Sequence, residues 1–181
     1  MVKLNLGSHG VTFEGWVNVD LVEYGGVNLV QDVRRLLQFE SDTVDLIYAG
    51  HVLEHFYYDE ALDALREWVR VLKPGGVMKV AVPGLELVVE KMLNCESPLE
   101  QPIQAMLYGG RGRWETYRED DELSRHHYSW TKYKLSQTLK EVGLVNVREW
   151  EWPDLLSELE GKASACQSPI SLNLQGEKPV V

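Results

Sequence analysis

The chain has 181 residues, of which 44% are hydrophobic and 25% are charged. These values are typical of a globular domain and exclude an intrinsically disordered chain. The 28 acidic residues outnumber the 18 Lys and Arg, so the formal net charge is −10, which disfavours nucleic acid and anionic membranes as partners. We expect a single domain over residues 1–181.

Cys95 and Cys166 are the only two cysteines, too few for a disulfide scaffold. No apolar stretch approaches the ~20 residues of a membrane-spanning helix. Residues 1–7 lack the long apolar segment of a signal peptide. A cytoplasmic protein without membrane association is therefore expected.

Short apolar runs alternate with longer helical patterns along the chain, which predicts an α/β fold with a mainly parallel sheet. Only about ten residues separate the first two strands, so the first helix should be short or absent. The last two strands alternate apolar and polar residues and predict an antiparallel edge hairpin, through which two copies could pair as a homodimer. The predicted strands are 2–6, 17–20, 28–31, 44–49, 77–82, 144–151 and 169–176.

Apolar residues from Ala61 to Leu72 recur at helical spacing and predict a helix that starts at Asp59. The Lys-Pro-Gly-Gly turn at 73–76 ends it. Further helices are predicted at 84–94, 99–108 and 131–142. Residues 109–130 follow neither period and are rich in aromatic and basic side chains. Because so long a loop in a compact domain is usually functional, we expect 94–130 to form an acceptor-binding lid.

Glycines and acidic residues follow successive predicted strands, where ligands bind in an open α/β sheet. A glycine turn lets the backbone approach a ligand closely, and an aspartate at a strand end can accept both hydroxyls of a ribose. The candidates are Gly7-Ser8-His9-Gly10 after the first strand, Asp20 after the second, Asp32 after the third and Gly50-His51 after the fourth. A nicotinamide-binding protein is disfavoured, because its Gly-x-Gly-x-x-Gly motif opens a full helix.

Several segments in this order resemble class I S-adenosylmethionine-dependent methyltransferases, and most closely the small type-11 methyltransferases. They are residues 4–8, 15–20, 45–48, 51–55 and 70–76, with a further match at 170–174. The Leu-Lys-Pro-Gly-Gly turn at 72–76 is the most specific of them. The resemblance implies a Rossmann-like fold, a seven-stranded sheet with one antiparallel edge hairpin, and S-adenosylmethionine as the cofactor.

The resemblance also implies which residues hold that cofactor. Asp20 would hold the ribose, and Asp32 with the Val33 amide would hold the adenine. The cofactor-binding residues expected in this way are Gly7, Ser8, His9, Asp20, Leu21, Asp32, Val33, Gly50 and His51. His9 stands where the family has the second glycine of Gly-x-Gly. This departure leaves open a catalytically silent protein that binds S-adenosylmethionine or S-adenosylhomocysteine.

Methyl transfer to a hydroxyl group needs a base, and histidine is the expected one. The candidate catalytic residues are His51, His55 and His127, for a small hydroxylated acceptor such as a sugar or glycan precursor. On an uninterrupted helix, His51 and His55 would share a face, with Glu54 beside them. The alternative is that His55 is a packed or capping residue and His51 contacts the cofactor.

The aromatic and basic residues of 111–134 leave two roles open. They are similar to a stacking surface for a sugar or aromatic acceptor, or they form an aromatic mini-core at the end of the sheet. If they form the lid, Arg113 and Trp114 should be needed for turnover. RNA is disfavoured by the overall charge.

No metal site is predicted. His51-x-x-Glu54-His55 has the form of an inverted zinc-protease motif, but it follows a parallel strand and no third ligand is evident. It also resembles the Glu-x-x-Glu-His motif that holds Mg²⁺ in some O-methyltransferases. Here His51 replaces the first glutamate and suits Mg²⁺ less.

Overall fold

A computed structural model describes residues 1–94, 123–151 and 170–180. These residues form strands β1 (Lys3–Leu6), β2 (Val17–Asp20), β3 (Leu29–Val30), β4 (Val44–Gly50), β5 (Leu72–Pro83), β6 (Val145–Glu149) and β7 (Ser171–Glu177). The helices are α1 (Tyr58–Val71), α2 (Leu85–Leu93) and α3 (Lys132–Glu141), with a short 3-10 turn at Leu53–His55. The predicted helix at 99–108 and most of the predicted lid at 94–130 lie outside the described residues.

The seven strands form one sheet in the order β3-β2-β1-β4-β5-β7-β6. Strands β1 to β5 pair in parallel, and β7 runs antiparallel to both β5 and β6. The predicted α/β fold with an antiparallel edge hairpin is therefore confirmed. Within this hairpin β7 is an inner strand and β6 forms the edge, because β7 inserts between β5 and β6.

Residues 7–16, which connect β1 to β2, are all described and contain no helix, as their length predicts. The side chain of Asn18 holds this connection: its Oδ1 accepts bonds from the Phe13 amide at 2.9 Å and from Asn5 Nδ2 at 3.0 Å. Phe13 and Trp16 are buried in a cluster with Tyr48 and Trp150. These aromatic side chains cover the face of the sheet that a first helix would otherwise cover.

Helix α1 covers the opposite face, because its apolar residues recur on one side. Ala61, Leu65 and Trp68 are fully buried there, and Trp68 Nε1 donates to the Val33 carbonyl at 2.8 Å. Strand β5 follows at once and begins at Leu72 rather than at residue 77 as predicted. The predicted turn is part of the strand because the Gly75 amide bonds the Lys178 carbonyl at 2.8 Å, and the Lys178 amide bonds the Gly76 carbonyl at 2.9 Å.

The side chain of Lys178 closes the end of α1. Its Nζ donates to the carbonyls of Val69 and Leu72, both at 2.8 Å, and pairs with Asp42 at 2.7 Å. A cation at this position satisfies carbonyls that have no partner within the helix and complements the helix dipole. None of the described helices has the length and apolarity needed to cross a membrane.

Candidate active site

The carboxyl ends of β1, β2 and β4 meet at one rim of the sheet. Leu6 is in register with Val19 on one side and with Ala49 on the other. The Gly7 amide bonds the Val19 carbonyl at 2.9 Å, and the His51 amide bonds the Ala81 carbonyl at 2.8 Å. The structure thus brings Gly7, Asp20 and His51 to the same edge, as expected for residues at the carboxyl ends of parallel strands.

The turn after β1 is built on left-handed backbone. Gly7 has φ +64°, and a Cβ atom there would lie 2.3 Å from Cγ2 of Val52, so only glycine fits. His9 has φ +43°, a region that L side chains rarely adopt. Its exposed ring makes an edge contact with Tyr24 at 5.1 Å between centroids. The position that is glycine in the family pattern therefore keeps a left-handed conformation here.

Asp20 ends β2 as a nearly buried carboxylate. Its Oδ2 accepts the His9 amide at 2.7 Å and its Oδ1 accepts the Val22 amide at 3.0 Å. Each oxygen retains a further lone pair, so the carboxylate can accept two ribose hydroxyls without releasing the loop. The buried Ser8 Oγ has no hydrogen-bond partner within the described residues, and Leu21 is 51% exposed. These features fit a nucleoside at this rim.

Asp32 lies in the segment that follows β3 and is held by Arg34. Arg34 Nε lies 3.1 and 3.0 Å from the two carboxylate oxygens, and the Arg34 amide bonds Oδ1 at 2.9 Å. Burial alone would raise the pKa of Asp32, but the bonds to Arg34 outweigh it and hold that pKa below its usual value. An adenine contact by this carboxylate would have to compete with the ion pair.

His51 lies between Glu54 and Ser171. Its Nδ1 is 3.2 Å from Glu54 Oε1 and its Nε2 is 3.3 Å from Ser171 Oγ, while Ser171 Oγ also lies 2.9 Å from Asn173 Oδ1. Ser171 reaches the rim because β7 begins there, paired with Pro83 at the end of β5. The arrangement places a carboxylate, an imidazole and a hydroxyl in one line of contacts.

The Glu54 carboxylate controls the protonation of the His51 imidazole. Burial lowers the pKa of His51, but the hydrogen bond and charge of Glu54 outweigh it, so that pKa lies above its usual value. Burial alone would raise the pKa of Glu54, yet the bond to His51 and the nearby His55 and His126 hold it below its usual value. Glu54 is therefore a buried anion that orients an imidazole.

The helix on which His51 and His55 would share a face does not form. His51 has φ +56°, the 3-10 turn ends at His55, and α1 begins only at Tyr58. His55 instead points to the segment after residue 122: its Nδ1 bonds the Arg125 carbonyl at 3.0 Å, and its ring meets that of His126 at 4.9 Å. The two histidines therefore face different partners.

His127 contributes its backbone and its ring to the same corner. Its amide donates to the Glu54 carbonyl at 2.8 Å, and its ring lies 4.3 Å from that of Tyr57. The described end of the predicted lid thus packs on the turn that carries Glu54.

Residues 15–80 match the family model of a methyltransferase domain. Solved S-adenosylmethionine-dependent methyltransferases share the fold over nearly the whole chain. Over residues 15–80 the chain is similar to that family, and its fold is the one that these methyltransferases share. No curated protein matches its sequence at a significant level.

Three solved structures illustrate the likeness. An S-adenosylmethionine-dependent methyltransferase of Thermotoga maritima has a TM-score of 0.57 and 16% identity, over 98% of this chain and 82% of that one. The 1,6-didemethyltoxoflavin-N1-methyltransferase of Burkholderia thailandensis, with its substrate and S-adenosylhomocysteine bound, has a TM-score of 0.58 and 17% identity. The match covers 99% of this chain and 71% of that one. A Bordetella parapertussis protein, described as a possible exported protein, has a TM-score of 0.60 and 13% identity. The match covers 99% of this chain and 62% of that one. The chain thus spans less than two thirds of the Bordetella protein, and these low identities show the fold alone.

Three residues of the candidate site are not predicted by the sequence. Glu54 was considered only as a neighbour of the histidines, although its spacing of three residues from His51 allows a contact. Ser171 was part of a matched segment but was given no role, because it is 120 residues from His51 in the chain. The sequence singles out His127 as a candidate catalytic residue but does not single out His126.

The described part of the aromatic segment takes the second of the two roles that the sequence left open. Trp130 is fully buried, with Tyr128 and Tyr58 against it at centroid distances of 4.7 and 6.1 Å. These rings form a mini-core at the end of the sheet. Arg113 and Trp114 lie outside the described residues.

Proposed function

We propose that this methyltransferase domain transfers a methyl group from S-adenosylmethionine to a hydroxyl of a small acceptor, such as a sugar or glycan precursor. The observation that carries the proposal is the position of His51. Glu54 holds one nitrogen of its imidazole, and the other is directed at a hydroxyl group. The Burkholderia protein, whose structure holds a small-molecule substrate and S-adenosylhomocysteine, supports a small-molecule acceptor, although it methylates a nitrogen rather than a hydroxyl.

The rim formed by β1, β2 and β4 is the proposed cofactor site. Asp20 would accept the ribose hydroxyls while it holds the His9 amide, and exposed Leu21 would cover the nucleoside. Gly7 and Ser8 would line the methionine side, and Gly50 and His51 the methyl-donor end. When bound there, S-adenosylmethionine supplies an electrophilic methyl group on a sulfonium.

The adenine end of the proposed cofactor site rests on the segment after β3. Asp32 and the Val33 amide would hold the adenine amino group. Because Arg34 already occupies both oxygens of the Asp32 carboxylate, the Val33 amide would carry the larger share of this contact.

The proposed base is the Nε2 atom of His51. With its Nδ1 proton donated to Glu54, the neutral imidazole has a lone pair on Nε2. The acceptor hydroxyl would take the place of Ser171 Oγ on Nε2, and Ser171 can keep its bond to Asn173. As the methyl group supplied by S-adenosylmethionine passes to the acceptor oxygen, the hydroxyl proton would pass to Nε2 of His51. Glu54 then stabilises the imidazolium.

His55 and His127 stay in the proposal as neighbours of the base. His55 bonds the Arg125 carbonyl and His127 stacks on Tyr57, so neither faces the hydroxyl of Ser171. We therefore assign proton transfer to His51 and a supporting place at the acceptor end to the other two.

The deciding experiment measures binding and turnover in the same samples. Calorimetry with S-adenosylmethionine and S-adenosylhomocysteine is followed by an assay of S-adenosylhomocysteine formation over a panel of hydroxylated acceptors. His51→Gln should lower kcat by about 100-fold or more, a far larger effect than any on S-adenosylhomocysteine affinity, whereas Lys140→Gln on α3 should change neither. An unchanged kcat in His51→Gln contradicts the assignment of the base.

The second candidate function is a catalytically silent protein that binds S-adenosylmethionine or S-adenosylhomocysteine. The left-handed backbone at His9 favours it, because a side chain stands where the family pattern has glycine. Tight cofactor binding without turnover over the whole acceptor panel would establish this function. If His9→Gly raises S-adenosylhomocysteine affinity at least tenfold, the His9 side chain is the reason.

A further inference from the structure

Glu54, His55 and His126 form a cluster of metal-ligating side chains. One potential ligand atom from each lies within 4.8 Å of the others. Glu54 is 1% exposed, whereas both histidines are half-buried. His51 contacts Oε1 of Glu54, which leaves Oε2 as the oxygen available to a cation.

The second carboxylate oxygen of Glu54 is unsatisfied. Oε1 contacts His51, but Oε2 is buried and has no hydrogen-bond partner among residues 1–94, 123–151 and 170–180. A buried anionic oxygen without a partner is costly, since it has lost its water and gained nothing in exchange. A cation beside Oε2 would remove that cost.

The contact of His55 with the segment after residue 122 fixes the tautomer of its ring. A carbonyl can only accept, so its contact with the Arg125 carbonyl fixes the proton on Nδ1 and leaves the lone pair on Nε2. Metal-binding histidines are commonly held in this way, with the second ring nitrogen donating to a backbone carbonyl.

The backbone fixes the segment that carries His126 against Glu54. The amides of His127 and Tyr128 both donate to the Glu54 carbonyl, at 2.8 and 3.3 Å. The three side chains are therefore held by one set of backbone contacts. Zinc–ligand bonds of about 2.0–2.1 Å place tetrahedral ligands roughly 3.3 Å apart, so side-chain rotations are enough to close the site.

We propose that Glu54, His55 and His126 bind one divalent first-row transition ion, of the Zn²⁺ or Co²⁺ type. Two imidazoles and one carboxylate suit such ions, whereas Mg²⁺ and Ca²⁺ prefer oxygen ligands alone. Three protein ligands leave a position open to water or to an oxygen of a small molecule. Glu54 and His126 also line a small cavity with Pro83, Leu85 and Tyr128, of a size that suits a water molecule. The proposal does not depend on methyl transfer.

The test uses the whole protein, freed of metal by a chelator and titrated with Co²⁺. We expect the protein to bind one equivalent of Co²⁺, which should give visible d–d absorption and raise the Tm of the protein. Zn²⁺ should then displace the Co²⁺. His55→Gln and His126→Gln should each weaken Co²⁺ binding by more than the 10–100-fold that loss of an outer-shell partner costs. His127→Gln is the matched control and should bind Co²⁺ as the wild type does.

Three results would overturn the site. They are the absence of stoichiometric Co²⁺ or Zn²⁺ binding by the wild type, binding that survives both ligand substitutions, and binding that is lost in His127→Gln as well. Metal-free thermal melts show whether each variant is folded. X-ray absorption on the Zn²⁺-loaded wild type needs no variant, and we expect two imidazole nitrogens and carboxylate oxygen in its first shell; a shell of oxygen atoms alone contradicts the proposal.

Discussion

Val52 packs so closely on Gly7 that a Cβ atom on the glycine would lie 2.3 Å from Cγ2 of the valine. This contact joins the turn after β1 to the residue that precedes the 3-10 turn. It therefore fixes the distance between the proposed methionine side of the cofactor site and the corner that carries His51 and Glu54.

Gly7→Ala should destabilise the protein more than Gly15→Ala does. Both glycines have positive φ, +64° and +75°, but a Cβ on Gly15 meets nothing within 4 Å. The difference between the two variants therefore isolates the clash with Val52, which we expect to cost about 1–3 kcal/mol. Urea unfolding measures both, and equal free energies of unfolding would contradict the close contact.

Asp20→Ala should weaken binding of S-adenosylhomocysteine by about 2–3 kcal/mol, or roughly 30- to 150-fold, because hydrogen bonds to a charged group are lost. Glu23→Ala, an exposed carboxylate in the same loop, is the control and should bind normally. Calorimetry gives both affinities. A change in Asp20→Ala no larger than that of the control would remove Asp20 from the ribose site.

The imidazole of His51 should titrate above pH 6.5 in chelator-treated protein, because the bond and charge of Glu54 outweigh burial. Glu54→Gln removes the cause that raises this pKa and leaves the burial that lowers it, so the pKa should fall. Two-dimensional NMR of the histidine ring signals follows the titration directly. If His51 titrates at the same pH in both proteins, Glu54 does not control it.

The raised pKa of His51 also predicts how activity depends on pH. A base works in its neutral form, so turnover should be lost as the pH falls through the raised pKa of His51. In Glu54→Gln the acid limb should move to lower pH, and kcat should also fall because the ring loses its orienting partner. A variant with lower activity and an unmoved acid limb would indicate a purely structural role.

Substitution of Arg113 and Trp114 by Ala should lower turnover on the preferred acceptor, while S-adenosylhomocysteine affinity is kept. The reason is the prediction that residues 94–130 bind the acceptor rather than the cofactor. Lys140→Gln, an exposed side chain on α3 outside that segment, serves as the control. Full turnover in the double variant would refute the lid role.

Much of the fold could be predicted because burial sets local patterns. The period of the apolar residues from Ala61 to Val71 located α1, and the ten-residue connection ruled out a full first helix. The extension of β5 to Leu72 could not be predicted, since it depends on pairing of Gly75 and Gly76 with Lys178, more than 100 residues away. Long-range pairing of this kind leaves no periodic pattern in a sequence.

The part of the candidate site that lies at the ends of strands could be predicted from the sequence. Gly7, Asp20 and His51 come directly after parallel strands, so topology alone brings them together. The contacts of His51 were not predictable, because they depend on its left-handed backbone and on where β7 begins. Likewise, the pairing of Asp32 with Arg34 follows from a local side-chain choice that the strand order does not specify.

Strand β7 is synthesised after β6, yet it lies between β6 and β5. While the chain emerges from the ribosome, β6 has no neighbour to join, and the outer backbone of β5 is left unpaired. Such an open edge attracts other chains, and pairing over this sequence distance is slow. The insertion of residues 171–177 therefore completes the sheet, and Lys178 reaches the end of α1 only after they are made. A nascent chain that stalls before this segment leaves both β5 and β6 as aggregation-prone edges.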